Sequence, residues 1–416
     1  MLPYFKRSVD NSELDGEYHG KGGPLHVTGL RSDNPVREIY LQAAREAQFR
    51  IREDFNAEEQ EGPRHLPGHP EERRTLERAA RGYIHPFMAT RANLRVETKA
   101  QATRILFEGK RAVGVEYRQG KDVRQIRVRR EVILSSGAFQ SPQLLMLSGV
   151  GDSAALAKHG IATAHHLPGV GQNLQDHPDF VFAFTSDSPY FAGLSFAGIA
   201  RIFKGIAQYR RERRGPMTSN IAECGGFLKT RPELEVPDIQ LHFCMAMVND
   251  HGRKPRWGTG FSCHVCLLRP KSRGSVWLQS ADPLAAPAID PNFFGEDADV
   301  DTMVTGFKMA RRLLDAPALK ALQTSDVFTQ GIETDDDIRK VLRERVDTVY
   351  HPVGTCKMGV DAMAVVDPKL KVRGLQGLRI VDASIMPTLI GGNTNAPTIM
   401  IGEKAADMIK AEMRAN

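Results

Sequence analysis

The sequence predicts an α/β fold with α+β elements, in which an antiparallel sheet is inserted between two parts of one domain. Strand-forming runs that lead into a short helix occupy residues 93–150, and a strand, a connection and a final helix occupy residues 378–413. Between them, residues 180–345 contain runs of alternating apolar and polar residues, which is the pattern of a half-buried antiparallel sheet. We therefore expect the two outer parts to form one domain around the inserted sheet.

The first part predicts consecutive strands that end in a turn and a helix. The predicted strands, separated by turn residues, are 94–98, Thr103–Phe107, Val113–Tyr117 and Ile126–Leu134. In the run that follows, Ser141 fits an N-cap, Pro142 the first helical position and Gly149 the residue after the last turn. A second helix is predicted from Asp152 to Gly160.

The inserted part and the tail follow in order. Apolar and polar residues alternate in Ile239–Met247 and again in Phe261–Leu267, so both runs predict strands with one buried face. Helices are predicted over 297–314 and from Thr334, where Asp337 completes a capping box. The tail predicts a strand over Leu378–Asp382 and a helix from Pro397 to Met413.

Composition indicates a globular protein and limits its partners. The 416 residues are 41% hydrophobic and 25% charged, with a net charge of +6. This excess suits an anionic cofactor or a membrane surface and is too small to indicate nucleic acid. Five irregularly spaced cysteines favour reduced thiols and a cytoplasmic location. No uncharged apolar run approaches the roughly 18 residues of a membrane span.

Two features of the last third point to a ligand site. The carboxyl ends of strands in open α/β sheets face ligands, which favours Asp382 and the loop 391–397. Pro397 in the first helical turn leaves backbone N–H groups free to attract negative charge, although an ordinary capped connection also explains this segment. His351 can take a proton near neutral pH, as oxidation of an alcohol requires. A structural role for this single histidine is the alternative.

The motifs resemble one family over nearly the whole chain. Gly137–Gly151 resembles the second signature of the glucose–methanol–choline oxidoreductases, and Gly169–His177 is similar to the flavin-domain loop that follows it. Tyr350–Thr355, Gly377–Ser384 and Asn393–Pro397 are similar to the catalytic tail of the same family. The motifs occur in family order, and they most resemble choline dehydrogenases and bacterial alcohol dehydrogenases.

This resemblance implies a flavin-binding, Rossmann-like domain with an inserted substrate domain and FAD as the cofactor. His351 matches the base that removes the hydroxyl proton, and Asn393 matches the residue that hydrogen-bonds the substrate oxygen. The positions that match cofactor contacts are Ala102 near the adenine and Gly137, Ala138, Ser141, Asp382, Ala383, Thr394, Asn395 and Pro397. The implied partners are a small-molecule alcohol and an electron acceptor, either a quinone-type carrier or oxygen, and no metal is implied.

The sequence departs from the family at two places. The glycine-rich turn that holds the cofactor pyrophosphate would precede residue 1, so we expect an N-terminally truncated flavin domain that binds FAD poorly by itself. Residues 61–77 lack the family pattern and predict a solvated loop without a regular partner, or a frame error in the encoding DNA. The predicted division is 1–90, a connecting remnant; 91–180, flavin domain; 181–345, substrate domain; and 346–416, flavin domain with the catalytic loop.

Three other patterns are assigned less weight. Gly149–Gly151 and Gly169–Gly171 each resemble half a dinucleotide fingerprint, but neither continues to a third glycine. Cys263 and Cys266 would point to opposite faces of a strand, which prevents both thiols from binding one ion. The basic amphipathic run 190–214 favours packing on the substrate domain, with peripheral contact at the inner membrane surface as the alternative.

The predicted function is FAD-dependent oxidation of a primary alcohol, choline-like or aliphatic or aromatic, to the aldehyde. A redox-silent lyase using the same pocket is one alternative. A non-catalytic remnant that binds no cofactor is the other.

Overall fold

The computed structural model describes residues 1–65, 78–248, 253 and 256–415 of the chain. Ten α-helices lie within these residues, joined by short 3₁₀ turns that include Ala383–Ile385. The helices are α1 (Leu2–Ser8), α2 (Val36–Glu46), α3 (Arg78–Tyr83), α4 (Gly137–Leu147), α5 (Ser153–Ala157), α6 (Phe196–Glu212), α7 (Asp297–Leu314), α8 (Pro317–Lys320), α9 (Asp335–Arg345) and α10 (Asn395–Ala415).

Twenty strands lie within the same described ranges, and many are short. They are β1 (Val9–Asn11), β2 (Leu25–Val27), β3 (Gly62–His65), β4 (Ala100–Glu108), β5 (Arg111–Gln119), β6 (Asp122–Arg127), β7 (Val132–Leu134), β8 (Val150–Gly151), β9 (His165–His166), β10 (Gln172–Leu174), β11 (Pro178–Thr185), β12 (Gly193–Leu194), β13 (Ala222–Leu228), β14 (Ile239–Cys244), β15 (Gly258–Leu267), β16 (Gly274–Trp277), β17 (Ala288–Asp290), β18 (Ser325–Asp326), β19 (Asp347–Thr348) and β20 (Leu378–Ile380).

The inserted sheet is antiparallel, as its alternating pattern predicts. Its strand order is β18-β11-β15-β14-β13-β3, with β12 added beside β15 and β19 beside β11. One face packs its phenylalanines, including Phe180, Phe243 and Phe261, against α2, α7 and α9 in a large apolar core. The prediction that only this face is buried is wrong. Every residue of β14 is buried, because its polar face is covered by the loop that carries Asn393, whose side chain accepts from Gln240.

A smaller apolar core lies beneath the segments that flank the predicted cofactor position. In it, β7 and β20 pair in parallel, with Val132 opposite Leu378 and Leu134 opposite Ile380. The antiparallel sheet β4-β5-β6 packs beside them. The predicted strand at 94–98 is wrong, because regular pairing begins only at Ala100. The predicted strand Ile126–Leu134 is divided between β6 and β7.

The helix that follows β7 begins earlier than predicted. Residue Gly137 starts α4, so Ser141 and Pro142 lie inside the helix and not at its start. A proline has no N–H to donate to the carbonyl four residues before it. The Thr355 hydroxyl donates to this carbonyl, that of Ala138, at 2.5 Å. The end of the helix is as predicted, with Gly149 in the left-handed conformation (φ 81°).

Part of the segment 61–77 forms a strand, contrary to the prediction of an unpartnered loop. Strand β3 pairs antiparallel with β13, with Gly62 opposite Phe227 and His65 opposite Cys224. The sequence lacks alternation there because an edge strand is held by its backbone, and an edge position also tolerates Pro63. Residues 66–77 lie outside the described residues.

The remaining helices agree closely with the bounds and caps that the sequence predicts. Helix α7 has the predicted bounds, and Thr334 caps α9 with Asp337 in a reciprocal capping box. Helix α5 begins after Asp152, whose side chain accepts the N–H of Ala155. The final helix, α10, starts two residues before Pro397.

The amphipathic run 190–214 contains α6, which packs on the protein through Gly198 and Gly205. The run packs on the substrate domain, as the favoured prediction has it, since α6 contacts β12 and residues 216–218 and Phe191 is buried in the large core. The largest apolar side chains of the helix nevertheless point away from the protein. Phe196 is 85% exposed and Phe203 is 68% exposed, because the glycines and not the aromatic residues face the protein. In the part of the chain that the structure describes, no helix is long and apolar enough to span a membrane.

Candidate active site

His351 and Asn393, the two predicted catalytic residues, lie together. His351 is buried and follows β19, whereas Asn393 is exposed in the loop before α10. Asn393 Nδ2 is 3.2 Å from His351 Nε2. The structure therefore brings a buried, titratable ring into contact with the amide of an exposed residue.

The polar face of the inserted sheet orients the Asn393 amide. Gln240 on β14 is buried, and its Nε2 donates to Asn393 Oδ1 at 3.1 Å. Because the oxygen of Asn393 accepts from Gln240, its Nδ2 is the atom directed at His351. The Asn393 amide is thus a donor toward the histidine.

A second histidine completes the group. His177 Nδ1 lies 3.0 Å from His351 Nδ1, with the two rings nearly perpendicular at 83°. His177 Nε2 is 3.0 Å from the carbonyl oxygen of Ile390. Burial lowers the pKa of His351 to about 4 and that of His177 to about 3, so both rings are neutral at neutral pH.

The Asp176 carboxylate fixes the backbone positions of the two histidines relative to each other. Its Oδ1 accepts the N–H of His177 at 2.8 Å and the N–H of His351 at 2.9 Å. Its Oδ2 accepts a short hydrogen bond from the Thr348 hydroxyl. Burial raises the pKa of Asp176 to about 6, although these donors favour the carboxylate. The neighbouring Gln175 accepts the N–H of Leu389, which ties in the loop that leads to Asn393.

A buried ion pair lies beside this group on the same sheet face. Asp179 on β11 accepts from His264 Nδ1 at 2.5 Å and from the Cys266 thiol at 3.0 Å. Burial lowers the pKa of His264, but the charge and hydrogen bond of Asp179 outweigh it and hold that pKa well above its usual value. Burial lowers the pKa of His242 to about 3. Cys263 faces the apolar core instead, so the two thiols point to opposite faces as expected.

Five of the predicted cofactor-contacting residues meet where β7 and β20 end. The Asp382 carboxylate accepts the N–H of Gly137 at 3.0 Å and the Ser141 hydroxyl at 2.5 Å, and so holds the turn at the start of α4. Ala138 lies in this first turn, and the carbonyl of Ala383 accepts the N–H of Gly354 at 3.4 Å. The carboxylate of Asp382 is thus used within the protein, where it shapes the turn.

The other predicted cofactor residues lie on two sides of this turn. Ala102 lines an open cleft of about 360 Å³ together with Ser135, Ser136 and Gln140. Thr394 precedes α10, and Asn395 and Pro397 lie in its first turn. This 21-residue helix begins two residues after Asn393, so its first turn adjoins the loop that contacts His351.

Sequence reasoning missed the residues that support the pair, namely Gln240, Asp176 and His177. The last two end the family-like run Gly169–His177, so a motif that was assigned to the flavin domain also contacts the segment that carries His351. A usable signal for Gln240 was the set of hydrogen-bonding side chains at alternate positions of β14 and β15. Such residues on a buried sheet face must find partners.

Comparison with known proteins identifies the family of the chain. A family model described as GMC oxidoreductase matches residues 1–179, and a second with the same description matches residues 270–402. The chain is 45% identical over 97% of its length to "Alcohol dehydrogenase [acceptor]" of Pseudomonas putida, of which it covers 74%. The chain belongs to the GMC oxidoreductase family.

Further relatives and structures support this assignment. The mouse mitochondrial choline dehydrogenase is 40% identical over 98% of the chain, which covers 69% of that protein. A formate oxidase structure from Aspergillus oryzae RIB40 superimposes with a TM-score of 0.87 at 28% identity, covering 100% of this chain and 78% of that one. An FAD-dependent oxidoreductase from Chaetomium thermophilum gives a TM-score of 0.87 at 26% identity, covering 99% and 80%.

The predicted fold and enzyme class are therefore confirmed: the chain is a mixed α/β member of a family of FAD-dependent oxidoreductases. The structure itself fits such a cofactor. The turn that Asp382 holds adjoins the cleft at Ala102, because Ser136 and Gln140 line that cleft. The start of α10 offers backbone N–H groups of the kind that favour an anionic ligand.

Proposed function

We propose that this enzyme uses FAD to oxidise a primary alcohol to the aldehyde, with His351 as the base. The observation that carries the proposal is the pairing of His351 Nε2 with the Asn393 amide at 3.2 Å. Because burial keeps the pKa of His351 near 4, the ring is neutral at neutral pH and can accept a proton. A neutral donor beside such a base suits a reaction in which an oxygen becomes negative.

The residues divide the chemistry as follows. A substrate hydroxyl that enters between the two side chains donates its proton to His351 Nε2. The Asn393 amide donates to the substrate oxygen and stabilises the charge that develops on it, while Gln240 holds the amide in that orientation. Bound FAD supplies the acceptor for the hydride that leaves the alcohol carbon.

We propose that the cofactor is held by the residues that surround the Asp382 turn. On one side lies the start of α4, with Gly137, Ala138 and Ser141. Ala383 follows Asp382 in the chain. Thr394, Asn395 and Pro397 present the start of α10, whose free N–H groups favour negative charge. The cleft at Ala102 accommodates the adenine side.

The charges around the pair favour an uncharged alcohol, aliphatic or aromatic, over a choline-like cation. Asp179, whose charge acts on His351, is already paired with His264. The buried Asp176 carboxylate is held by the Thr348 hydroxyl and by two backbone N–H groups. His242 stays neutral because burial lowers its pKa. A quaternary ammonium group would therefore meet two buried carboxylates that already have partners instead of an available negative charge.

The decisive experiment is anaerobic reduction of the FAD-loaded protein, followed by the loss of flavin absorbance. We expect benzyl alcohol or a 1-alkanol to reduce the flavin, and His351→Ala to slow the reduction by about 10²–10⁴. His26→Ala, which removes an exposed imidazole paired with Asp10, is the matched control and should behave as wild type. Wild-type rates in His351→Ala would contradict the proposal, and a preference for choline would contradict the substrate class.

The same experiment separates the alternatives. A redox-silent lyase would leave the flavin oxidised with every alcohol, and a non-catalytic remnant would not bind FAD.

We propose a quinone-type carrier or oxygen as the electron acceptor, which oxygen consumption with and without a soluble quinone distinguishes. The cytoplasmic location and a peripheral membrane contact through the exposed Phe196 and Phe203 stay predictions, which flotation with anionic vesicles tests.

A further inference from the structure

We propose that His177 is a positioning residue that fixes the tautomer of His351, so that the lone pair of the base is on Nε2, the atom beside Asn393. This role follows from a chain of four hydrogen bonds that runs from Gln240 through Asn393, His351 and His177 to the carbonyl of Ile390. The inference deepens the proposed function, and the effect of His177 on catalysis rests on that function.

The main-chain carbonyl sets the direction of the chain. The oxygen of Ile390 can only accept, so His177 Nε2 carries a proton and donates to it. His177 is fully buried, and burial lowers its pKa to about 3. The charge of Arg269 also disfavours a second proton, and the two effects together outweigh the carbonyls of Ile390 and Leu268, which favour it. A neutral ring that is protonated on Nε2 has its lone pair on Nδ1. His177 Nδ1 is therefore an acceptor.

This acceptor determines which nitrogen of the His351 ring carries the proton. His351 Nδ1, 3.0 Å away, must be the donor of the bond between the two histidines. Because His351 is also neutral, its Nε2 has the lone pair, and that lone pair accepts from the Asn393 amide. The reverse direction would place a lone pair of His177 against the carbonyl oxygen of Ile390, which is repulsive.

The position of the His351 backbone does not depend on the His177 side chain. Asp176 accepts the N–H groups of both residues, and Val353 exchanges backbone hydrogen bonds with Gln175. A substitution at His177 should therefore leave His351 in place and change only the partner of its Nδ1.

Two variants of equal shape separate the roles of the hydrogen bond and of packing. In His177→Asn the side-chain oxygen can still accept near the position of Nδ1, whereas His177→Leu, of the same shape, cannot. The primary measurement is the ¹⁵N spectrum of the FAD-loaded protein labelled at the histidine rings, with His351→Gln used to assign the signals of residue 351. The second is the rate of flavin reduction by alcohol.

We expect His351 in the wild type and in His177→Asn to carry its proton on Nδ1, and His177→Leu to show a mixture of both tautomers. Loss of one neutral hydrogen bond should slow flavin reduction in His177→Leu about tenfold, with most of the rate kept in His177→Asn. An unchanged His351 tautomer in His177→Leu, or a wild-type proton on Nε2, would overturn the inference. If the tautomer is as expected but no alcohol reduces the flavin, the proposed function fails and the positioning role stands.

Discussion

Replacement of His264 by leucine should strongly destabilise the protein. Asp179 is 1% exposed, and its two oxygens accept only from His264 and the Cys266 thiol among the described residues. Without the imidazolium, the carboxylate is left buried with a weak donor. Removal of one partner of a buried ion pair costs about 3–5 kcal/mol. The free energy of unfolding of His264→Leu should therefore fall by about that amount.

A double-mutant cycle isolates the interaction. Asp179→Asn and the combination Asp179→Asn/His264→Leu should show that the two single losses do not add, because the double variant has no unpaired charge. The measurement is denaturant unfolding of the FAD-loaded protein followed by circular dichroism. Asp33→Asn, which breaks a pair with Arg214 in which both side chains are 51% exposed, is the control and should leave the midpoint near that of wild type.

The pH dependence of this pair has a definite sign. Because the folded protein holds the pKa of His264 above its usual value, the pair contributes its full stabilisation below about pH 6.5. That contribution is lost as the pH rises through the raised pKa. The stability difference between wild type and His264→Leu should shrink at alkaline pH. Additive single losses, or a difference that grows with pH, would refute the reasoning.

Three further outcomes are expected. With the pKa of His351 near 4, flavin reduction should be insensitive to His351 ionisation above about pH 5 and fall below about pH 4, where protonation removes the lone pair; stopped-flow rates measure this. Asn393→Ala should slow reduction by about 10²–10³, and a loss larger than that of His351→Ala would reverse the two roles. Thr355→Val should lower the free energy of unfolding by about 1–3 kcal/mol, because the Ala138 carbonyl loses its donor. Thr355→Ser keeps the hydroxyl and is the control, so equal stability of the two variants would contradict this.

The elements with strong local signals could be predicted from the sequence. The capping box at Thr334 and the glycine after α4 located helix ends, and alternation located β14 and β15. The start of α4 could not be predicted in this way. Ser141 resembles an N-cap, but its hydroxyl bonds to Asp382, 241 positions away, and a local pattern contains no information about that partner.

The site was predictable only in part, for a related reason. His351 and Asn393 could be proposed from the sequence because they lie in family-like motifs, and the structure brings their side chains together. His177 and Gln240 act through single hydrogen bonds that connect distant segments, so their roles appear only when the chain is folded. Burial also moves the pKa of His351 well below its value in water, which no sequence pattern reports.

The hydrogen bond that Thr355 donates to Ala138 affects the order in which parts of the chain can fold. These residues are 217 positions apart, and Asp382 reaches back 245 positions to Gly137. During synthesis, α4 therefore emerges long before the groups that complete its first turns, whereas neighbouring strands of the inserted sheet, such as β13 and β14, can pair soon after they appear. Contacts across such separations form slowly, because a long loop must close first. The turn that Asp382 holds is thus expected to be among the last parts of the protein to become native.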